Sequence, residues 1–325
     1  MYLRLVQIVL AVSCLIPAQA ASAQKLTLES VNDAAFAVAA KEQRRAVIVK
    51  AQILLDRVRF STGVIDGHNG ENFRKALAAF QRERALEESG KLDAATWAAL
   101  AQGSDQPAMI EYEIKRADAD AKFVKKIPGT FEAQAKLERL AYTGPRELLA
   151  EKFHMSEDLL KAFNPKASFA RAGAKIAVAN IRGDAPKGRA ARVEVDKAGR
   201  TVRAIAKDGA LLAFYPATVG SVEKPAPSGA YKVRAIAENP LYRYNPDYNF
   251  KGVKSKERLK IAPGPNNPVG SIWIDLTAES YGIHGTPAPE KVSKTESHGC
   301  VRLTNWDAEE LAKMVSKGTP VVFVE

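Results

Sequence analysis

The stretch with the clearest chemical potential is residues 297–303, which read Ser-His-Gly-Cys-Val-Arg-Leu and contain Cys300, one of only two cysteines in 325 residues. His284 lies sixteen residues before this thiol, His298 two before it and Arg302 two after it. A neighbouring imidazole raises the fraction of a thiol that is present as the nucleophilic thiolate. The spacing therefore predicts a cysteine nucleophile with a histidine base.

A metal site is the competing interpretation of the same residues. His284, His298 and Cys300 could ligate zinc, but a structural zinc site needs four ligands, usually with two or more cysteines in spaced pairs. The fourth ligand is missing from this part of the sequence. We therefore expect no metal here.

The elements that would position these groups can be read from the same region. A strand that ends at His284, followed by a loop that returns to a strand at Cys300, would bring imidazole and thiol side by side. Gly299 would let the backbone amides of residues 299 and 300 face an incoming carbonyl. Such an oxyanion hole contributes about 10²–10³ to the rate in comparable sites.

The N-terminus predicts export. Arg4 precedes an apolar run over residues 5–16, Pro17 breaks the run, and Ala-Ser-Ala at 21–23 forms a cleavage site. This order is typical of a secretory signal peptide, and the run is too short for a membrane span of about 20 residues. A lipoprotein site at Cys14 is the weaker alternative.

Cleavage after residue 23 would leave Cys300 as a lone cysteine. Thiols usually pair in the oxidising compartments outside the cytoplasm. An unpaired cysteine in an exported chain indicates intermolecular pairing or a reactive thiol. Export thus strengthens the prediction of a nucleophile over that of a small core residue.

The net charge of the chain indicates which kind of molecule it binds. The chain carries +11 at pH 7, and +10 remains without Arg4. A basic balance favours an anionic partner. Export argues against nucleic acid, so a carboxylate-bearing envelope polymer or an anionic membrane surface fits better.

Residues 24–106 predict a small helical bundle. Apolar residues recur at helical spacing in Val-Ile-Val-Lys-Ala-Gln-Ile-Leu-Leu (47–55), Asn72 or the turn before it can cap a second helix, and Asp93 is the predicted N-cap of a third. The region resembles the type 1 peptidoglycan-binding domain. The matching residues are Asp66, Gly67, Gly70, Ala76, Leu77, Phe80, Gln81, Gly90, Leu92, Thr96, Trp97 and Leu100.

Residues 107–181 predict a strand, two short helices and a strand, with Ser156 as the N-cap of the second helix. This order resembles a lysin-motif (LysM) module, an α+β unit that binds glycan. A spacer without glycan affinity remains the alternative. His154 is interpreted as an interhelical or surface histidine rather than a ligand.

Residues 182–189 form a polar linker, and residues 190–325 predict many short strands with one late helix from Asn305 to Gly318. Arg-Val-Glu-Val-Asp (192–196) and Thr-Val-Arg-Ala-Ile (201–205) alternate around a hairpin turn. This pattern favours a mostly antiparallel sheet pair or an open barrel.

Residues 190–325 resemble the L,D-transpeptidase catalytic domain. The resemblance rests on His-Gly-Thr at 284–286, Ser-His-Gly-Cys at 297–300 and Arg302, with support from 227–229 and 264–270. It implies a mostly antiparallel β-sandwich with no cofactor. It also implies roles for individual residues: Cys300 as nucleophile, His284 as base and acid, the Gly285 carbonyl as its orienting group, Gly299 in the oxyanion hole, and His298, Arg302, Ser297 and Tyr281 in substrate binding.

The implied reaction is acyl transfer on peptidoglycan stem tetrapeptides, with release of D-Ala through a thioester and formation of 3→3 cross-links. Attachment of an envelope lipoprotein, or hydrolysis by a carboxypeptidase or endopeptidase, would use the same nucleophile. A non-enzymatic wall-anchoring protein is the distant alternative. The expected partners are peptidoglycan peptides and glycan, without nucleic acid or an integral membrane span, and the expected compartment is a periplasm.

The stretch 239–270 is the predicted acceptor lid. It carries Tyr242, Tyr244 and Tyr248 and a basic run over 251–260. Stem peptides bear free carboxylates, which cations there would attract. A solvated loop is an equally good interpretation of the individual lysines.

Overall fold

A computed structural model of the chain describes residues 26–36, 44–181, 183, 186, 188–221, 224–248, 253, 255–297 and 299–325. The predicted signal peptide, residues 1–23, lies outside these ranges. Within them, no helix is both long and apolar enough to cross a membrane.

The N-terminal region is helical, as predicted. Its helices are α1 (Leu28–Asn32), α2 (Arg44–Arg57), α3 (Glu71–Glu83) and α4 (Ala94–Ala101). Asp93 caps α4 by accepting a hydrogen bond from the Thr96 amide, which confirms the predicted N-cap. Helix α3 begins after Gly70, so the turn rather than Asn72 starts it.

The middle region has the predicted strand at each end, but more helical turns between them than the two predicted. Its elements are β1 (Met109–Glu113), α5 (Arg116–Ala119), α6 (Phe131–Gln134), α7 (Pro145–Lys152), α8 (Glu157–Phe163) and β2 (Lys175–Ala179). The strands β1 and β2 pair antiparallel from Met109 opposite Ala179 to Glu113 opposite Lys175. Ser156 caps α8, as predicted. The kinship with LysM modules remains a prediction.

The C-terminal region contains most of the strands. They are β3 (Arg192–Asp196), β4 (Thr201–Ile205), β5 (Leu211–Pro216), β6 (Thr218–Val219), β7 (Gly229–Glu238), β8 (Tyr242–Tyr244), β9 (Leu259–Ile261), β10 (Ile272–Leu276), β11 (Gly282–His284), β12 (Val301–Arg302) and β13 (Pro320–Val324). Helix α9 (Asn305–Met314) and short 3₁₀ turns at Pro246–Tyr248 and Pro289–Lys291 complete the region.

These strands form one ladder in the order β5-β4-β3-β13-β7-β10-β11-β12-β6, and β8 and β9 pair separately. Pairing is antiparallel except between β3 and β13 and between β11 and β12. The first half of β7 pairs with β13 and its second half with β10. Buried residues from both halves of the ladder pack into one core with α9. The mostly antiparallel prediction is confirmed.

The predicted end of the late helix at Gly318 is wrong. Helix α9 ends at Met314, because Val315 already has an extended backbone (φ −104°, ψ 167°). Gly318 adopts φ +94° in the turn before β13, where its amide donates to the carbonyl of Val233 at 2.8 Å. The glycine therefore serves a turn, not the helix C-terminus.

The three regions pack on one another. The Phe60 ring stacks on Phe214 of the edge strand β5 at 6.5 Å, and the Ser61 amide donates to the Phe214 carbonyl at 2.9 Å. Helix α2 also shares a core with the middle region, through residues such as Val49 and Leu149. Covering an edge strand in this way satisfies its backbone groups.

Candidate active site

The parallel pairing of β11 with β12 positions the predicted reactive groups. Ile283 lies opposite Val301, and His284 lies opposite Arg302. Cys300 directly precedes Val301 and so lies level with Gly282, two residues before His284, and both Cys300 and His284 line one cleft. The strand, loop and strand predicted between His284 and Cys300 are confirmed.

His284 is held in a fixed orientation. Its Nδ1 lies 2.6 Å from the carbonyl oxygen of Gly285, and its ring stacks on Trp273 of β10 with ring centroids 5.5 Å apart. A carbonyl can only accept, so Nδ1 carries the proton and Nε2 keeps its lone pair. A Cβ on Gly282 would lie 2.6 Å from the Trp273 ring, which explains the glycine at that position.

Burial controls the charge of the imidazole. Only 4% of His284 is exposed. Burial lowers its pKa to about 3, and the nearby positive charge of Arg302 acts in the same direction, while the hydrogen bond to Gly285 opposes them. The imidazole is therefore neutral at neutral pH and can accept a proton.

The thiol is also in its neutral form. Cys300 is half-buried, and its Sγ lies 3.7 Å from the carbonyl oxygen of Ser280, to which it donates. Burial of the sulfur raises the pKa of Cys300, against a backbone hydrogen bond from Gly282 and the charges of Arg302 and Lys224. A neutral thiol beside a neutral base suits proton transfer at the moment of attack.

The turn before Cys300 is held by its own hydrogen bonds. Ser297 is buried; its hydroxyl donates to the carbonyl of Cys300 at 2.6 Å and its amide to Gly220 at 3.0 Å. Gly299 has φ +102°, and a Cβ there would lie 2.6 Å from Cε1 of Tyr281. The turn thus requires glycine at 299 for both its backbone and its space.

Arg302 and Tyr281 face the same cleft. One guanidinium nitrogen of Arg302 donates to the carbonyl of Glu296 at 3.1 Å, and the Tyr281 hydroxyl donates weakly to Pro225 at 3.4 Å. Both line the cavity in front of the thiol. His298 and two lysines of the predicted basic run 251–260, Lys251 and Lys254, fall outside the described residues, as does the side chain of Tyr248.

The cleft in front of the thiol has a volume of about 880 Å³. Its lining combines the residues around Cys300 and His284 with residues of the β8–β9 hairpin and with a segment of the middle region. The lining residues that bear on function are Cys300, His284, Arg302, Trp273, Tyr281, Lys224, Tyr242, Arg243 and residues 129–132. A cavity of this size accommodates a peptide-sized ligand.

The sequence reasoning missed several of these groups. Trp273 is not among the predicted site residues, although its alternation with Ile272 and Ile274 is a signal that it lies on the other face of the strand. Asn305 was read only as a helix start, yet its Oδ1 accepts from the amides of Thr286 and Ser271 at 3.1 and 3.2 Å. Tyr244, which the sequence placed in the predicted lid, is buried.

Comparison with known proteins gives matches in two parts of the chain. Residues 190–323 match the family described as "L,D-transpeptidase catalytic domain", and residues 44–100 match "Putative peptidoglycan binding domain". The chain is 30% identical over 177 residues to "Putative L,D-transpeptidase YkuD" of Bacillus licheniformis, covering 54% of this chain and 90% of that protein. It is 32% identical over 127 residues to "Putative L,D-transpeptidase YqjB" of Bacillus subtilis, covering 38% and 65%.

The chain belongs to the L,D-transpeptidase family and carries an N-terminal peptidoglycan-binding domain. Its catalytic domain is thus that of a transpeptidase, and peptidoglycan is supported as its partner. Among solved structures, L,D-transpeptidase 3 of Mycobacterium tuberculosis in complex with a faropenem-derived adduct aligns with a TM-score of 0.35 and 19% identity, over 47% of this chain and 75% of that one.

Proposed function

We propose that this chain is a cysteine-dependent L,D-transpeptidase that acts on peptidoglycan stem tetrapeptides and forms 3→3 cross-links. One observation carries the proposal: Cys300 and His284 come from paired strands and line one cleft, with Nε2 of a neutral imidazole left to accept a proton. The family supplies the substrate class.

In the first step, His284 takes the thiol proton as Cys300 Sγ attacks the carbonyl of the third stem residue. The C–N bond to the terminal D-Ala then breaks, and the imidazolium returns the proton to the leaving amine. A thioester to Cys300 remains. Dividing the reaction into two acyl transfers lowers the barrier of each.

In the second step, an amine of a neighbouring stem attacks the thioester. Its proton passes to His284, the new amide bond forms, and Cys300 leaves as a thiolate that recovers the proton. Water as the acceptor would give a tripeptide, and a lipoprotein amine would give an attached lipoprotein. The chemistry at Cys300 is the same in each case.

The remaining cleft residues support these steps. Gly299 presents the backbone of the turn to the carbonyl oxygen, whose negative charge grows during attack. Arg302, with His298 and Tyr281, would bind the carboxylates of the donor peptide. Ser297 stabilises the turn through its hydrogen bond to the Cys300 carbonyl. Lys224 and Arg243 add positive charge along the cleft. Such an electropositive cleft favours anionic stem peptides.

The predicted signal peptide and the wall-binding helices support a periplasmic enzyme that is held at its polymer. The basic balance of the chain, +11 at pH 7, favours the same anionic polymer. Localisation can be tested by fractionating cells that express the full chain. Recovery of the uncleaved chain in the cytoplasm would contradict export.

The decisive experiment measures the masses of the products formed from a muropeptide substrate. Residues 24–325, and the same chain with Cys300→Ala, are incubated with a purified disaccharide-tetrapeptide and analysed by liquid chromatography and mass spectrometry. We expect dimers that have lost one D-Ala, and only where Cys300 is present. Tripeptide alone would indicate a carboxypeptidase. Equal products from both chains would reject Cys300 as the nucleophile.

A further inference from the structure

The middle region lies directly on the catalytic region beside the cleft. The Leu140 amide donates to the Pro263 carbonyl at 2.9 Å, and the Asn266 amide donates to the Leu140 carbonyl at 2.9 Å. Gly264 makes this approach possible, because a Cβ there would lie 2.2 Å from the Leu140 oxygen. The loop that precedes β10 is therefore fastened to a segment outside the catalytic domain.

Helix α6 continues this contact over the β8–β9 hairpin. The Phe131 ring packs edge-to-face on both Tyr242 and Tyr244, with ring centroids 5.5 Å apart in each pair. Edge-to-face packing stabilises an aromatic pair beyond the burial of its surface. Thr130 caps the helix through the Ala133 amide, which sets the position of Phe131 at its first residue.

The same helix borders the cleft. Residues 129–132 line the cavity that also contains Cys300, His284 and Arg302. They lie between the two segments matched by families, 44–100 and 190–323. This wall of the cleft is thus supplied by a part of the chain that belongs to neither matched domain.

We propose that Phe131 is a substrate-binding residue, and that the middle region completes the substrate cleft by presenting this ring to the bound stem peptide. The proposal rests on the proposed function for the identity of the substrate. The ring adds an apolar surface to a cleft that Arg302 and Arg243 also line, and it packs on Tyr242 at the same cleft. Because it lies at the wall and not at the thiol, it contributes to binding in the ground state and the transition state alike.

The test compares Phe131→Ala with Phe131→Leu and with a matched control, Tyr231→Ala. Tyr231 is also a half-buried aromatic with an edge-to-face partner, but that partner is Phe323 of β13. Release of D-Ala from the disaccharide-tetrapeptide is measured with the full mature chain. We expect Phe131→Ala to raise KM about tenfold with kcat within about twofold, as removal of uniform binding predicts. Phe131→Leu should regain most of the affinity, and Tyr231→Ala should leave KM unchanged.

Two further measurements separate this proposal from the proposed function. Binding of the tetrapeptide is measured calorimetrically in a Cys300→Ala background, where Phe131→Ala should weaken Kd about tenfold without any turnover. Alkylation of Cys300 by iodoacetamide should be no slower in Phe131→Ala. An unchanged KM and Kd would overturn the role of Phe131, as would a fall in kcat with a lower melting temperature. Tight binding without turnover in the wild-type chain would instead overturn the proposed reaction.

Discussion

Glu151 and Asn305, 154 residues apart in the sequence, meet in a buried hydrogen bond in which Asn305 Nδ2 donates to Glu151 Oε2 at 3.0 Å. The other side-chain atom of Asn305, Oδ1, accepts from the amide of Thr286, next to the Gly285 carbonyl that orients His284. The carboxyl group of Glu151, in the middle region, therefore lies two hydrogen bonds from the loop that orients His284.

The first prediction concerns the pH dependence of stability. Burial, with the negative charges of Glu147 and Glu309, raises the pKa of Glu151 to about 8, against hydrogen bonds from Asn305 and Tyr142. Between about pH 4.5 and 8 the folded chain therefore binds more protons than the unfolded chain. The contribution of Glu151 to folding stability is complete below about pH 4.5 and is lost as pH rises towards 8. Glu151→Gln, which mimics the neutral acid, should be more stable than wild type by roughly 1 kcal/mol at pH 5, and the difference should grow to roughly 4 kcal/mol at pH 8.

The measurement is urea unfolding of both chains at several pH values. Glu157→Gln is the control, because it removes one exposed carboxylate that is paired with Arg146 in the same region. A gain of equal size in the control would assign the effect to net charge. Parallel curves for wild type and Glu151→Gln would show that Glu151 is ionised in the folded chain throughout this range.

The second prediction concerns Asn305. Replacing it by Ala removes the acceptor of the Thr286 and Ser271 amides and leaves Glu151 without its amide donor. Buried groups left without partners cost about 1–3 kcal/mol each, so we expect Asn305→Ala to lose roughly 2–5 kcal/mol of unfolding free energy. At temperatures where the variant stays folded, kcat for D-Ala release should fall at least about tenfold while Cys300 remains alkylatable. An unchanged kcat would show that the hydrogen bonds of Asn305 do not contribute to catalysis.

The residues that sequence reasoning identified are those with local signals. Asp93 and Ser156 cap helices within three residues of their partners, and the alternation around residues 192–205 defines a hairpin. His284 and Cys300 could be placed together because a single loop joins their strands. Each inference needed only the residues near the feature itself.

The groups it missed depend on contacts between distant segments. Nothing near Glu151 in the sequence indicates that it faces Asn305, and nothing near Phe131 indicates a cleft wall, because both effects arise from how the middle region docks. The end of α9 was wrong for a related reason: Gly318 is a good C-terminal signal, but its amide is used by the distant Val233. Local sequence signals predict helices and strands. Which residues of the middle region reach the cleft depends on how that region packs on the catalytic region.

The third prediction concerns the ionisation of the thiol. Burial raises the pKa of Cys300 and lowers that of His284 to about 3, so the free enzyme holds a neutral pair rather than a thiolate with an imidazolium. The rate of alkylation by iodoacetamide should therefore increase with pH beyond about 8.5, the ordinary value for a thiol, without a plateau at acidic pH. Arg302→Gln removes a charge that lowers this pKa, and should slow alkylation at pH 8. A rate independent of pH between 5 and 8 would establish the ion pair instead.

The fourth prediction isolates the turn at Gly299. Gly299 and Gly209 both have backbone angles that disfavour other residues, with φ +102° and +90°. A Cβ at 209 would meet nothing within 4 Å, whereas one at 299 would lie 2.6 Å from the Tyr281 ring, next to Cys300.

Both alanine variants should lose about 1–3 kcal/mol of stability through backbone strain. Only Gly299→Ala should also lose activity, by about 10²-fold or more, because the clash would displace the amides that we propose face the developing oxyanion. D-Ala release and thermal unfolding of the two variants are compared side by side. Equal activity in both would remove the turn at Gly299 from the catalytic machinery, since strain alone is common to the pair.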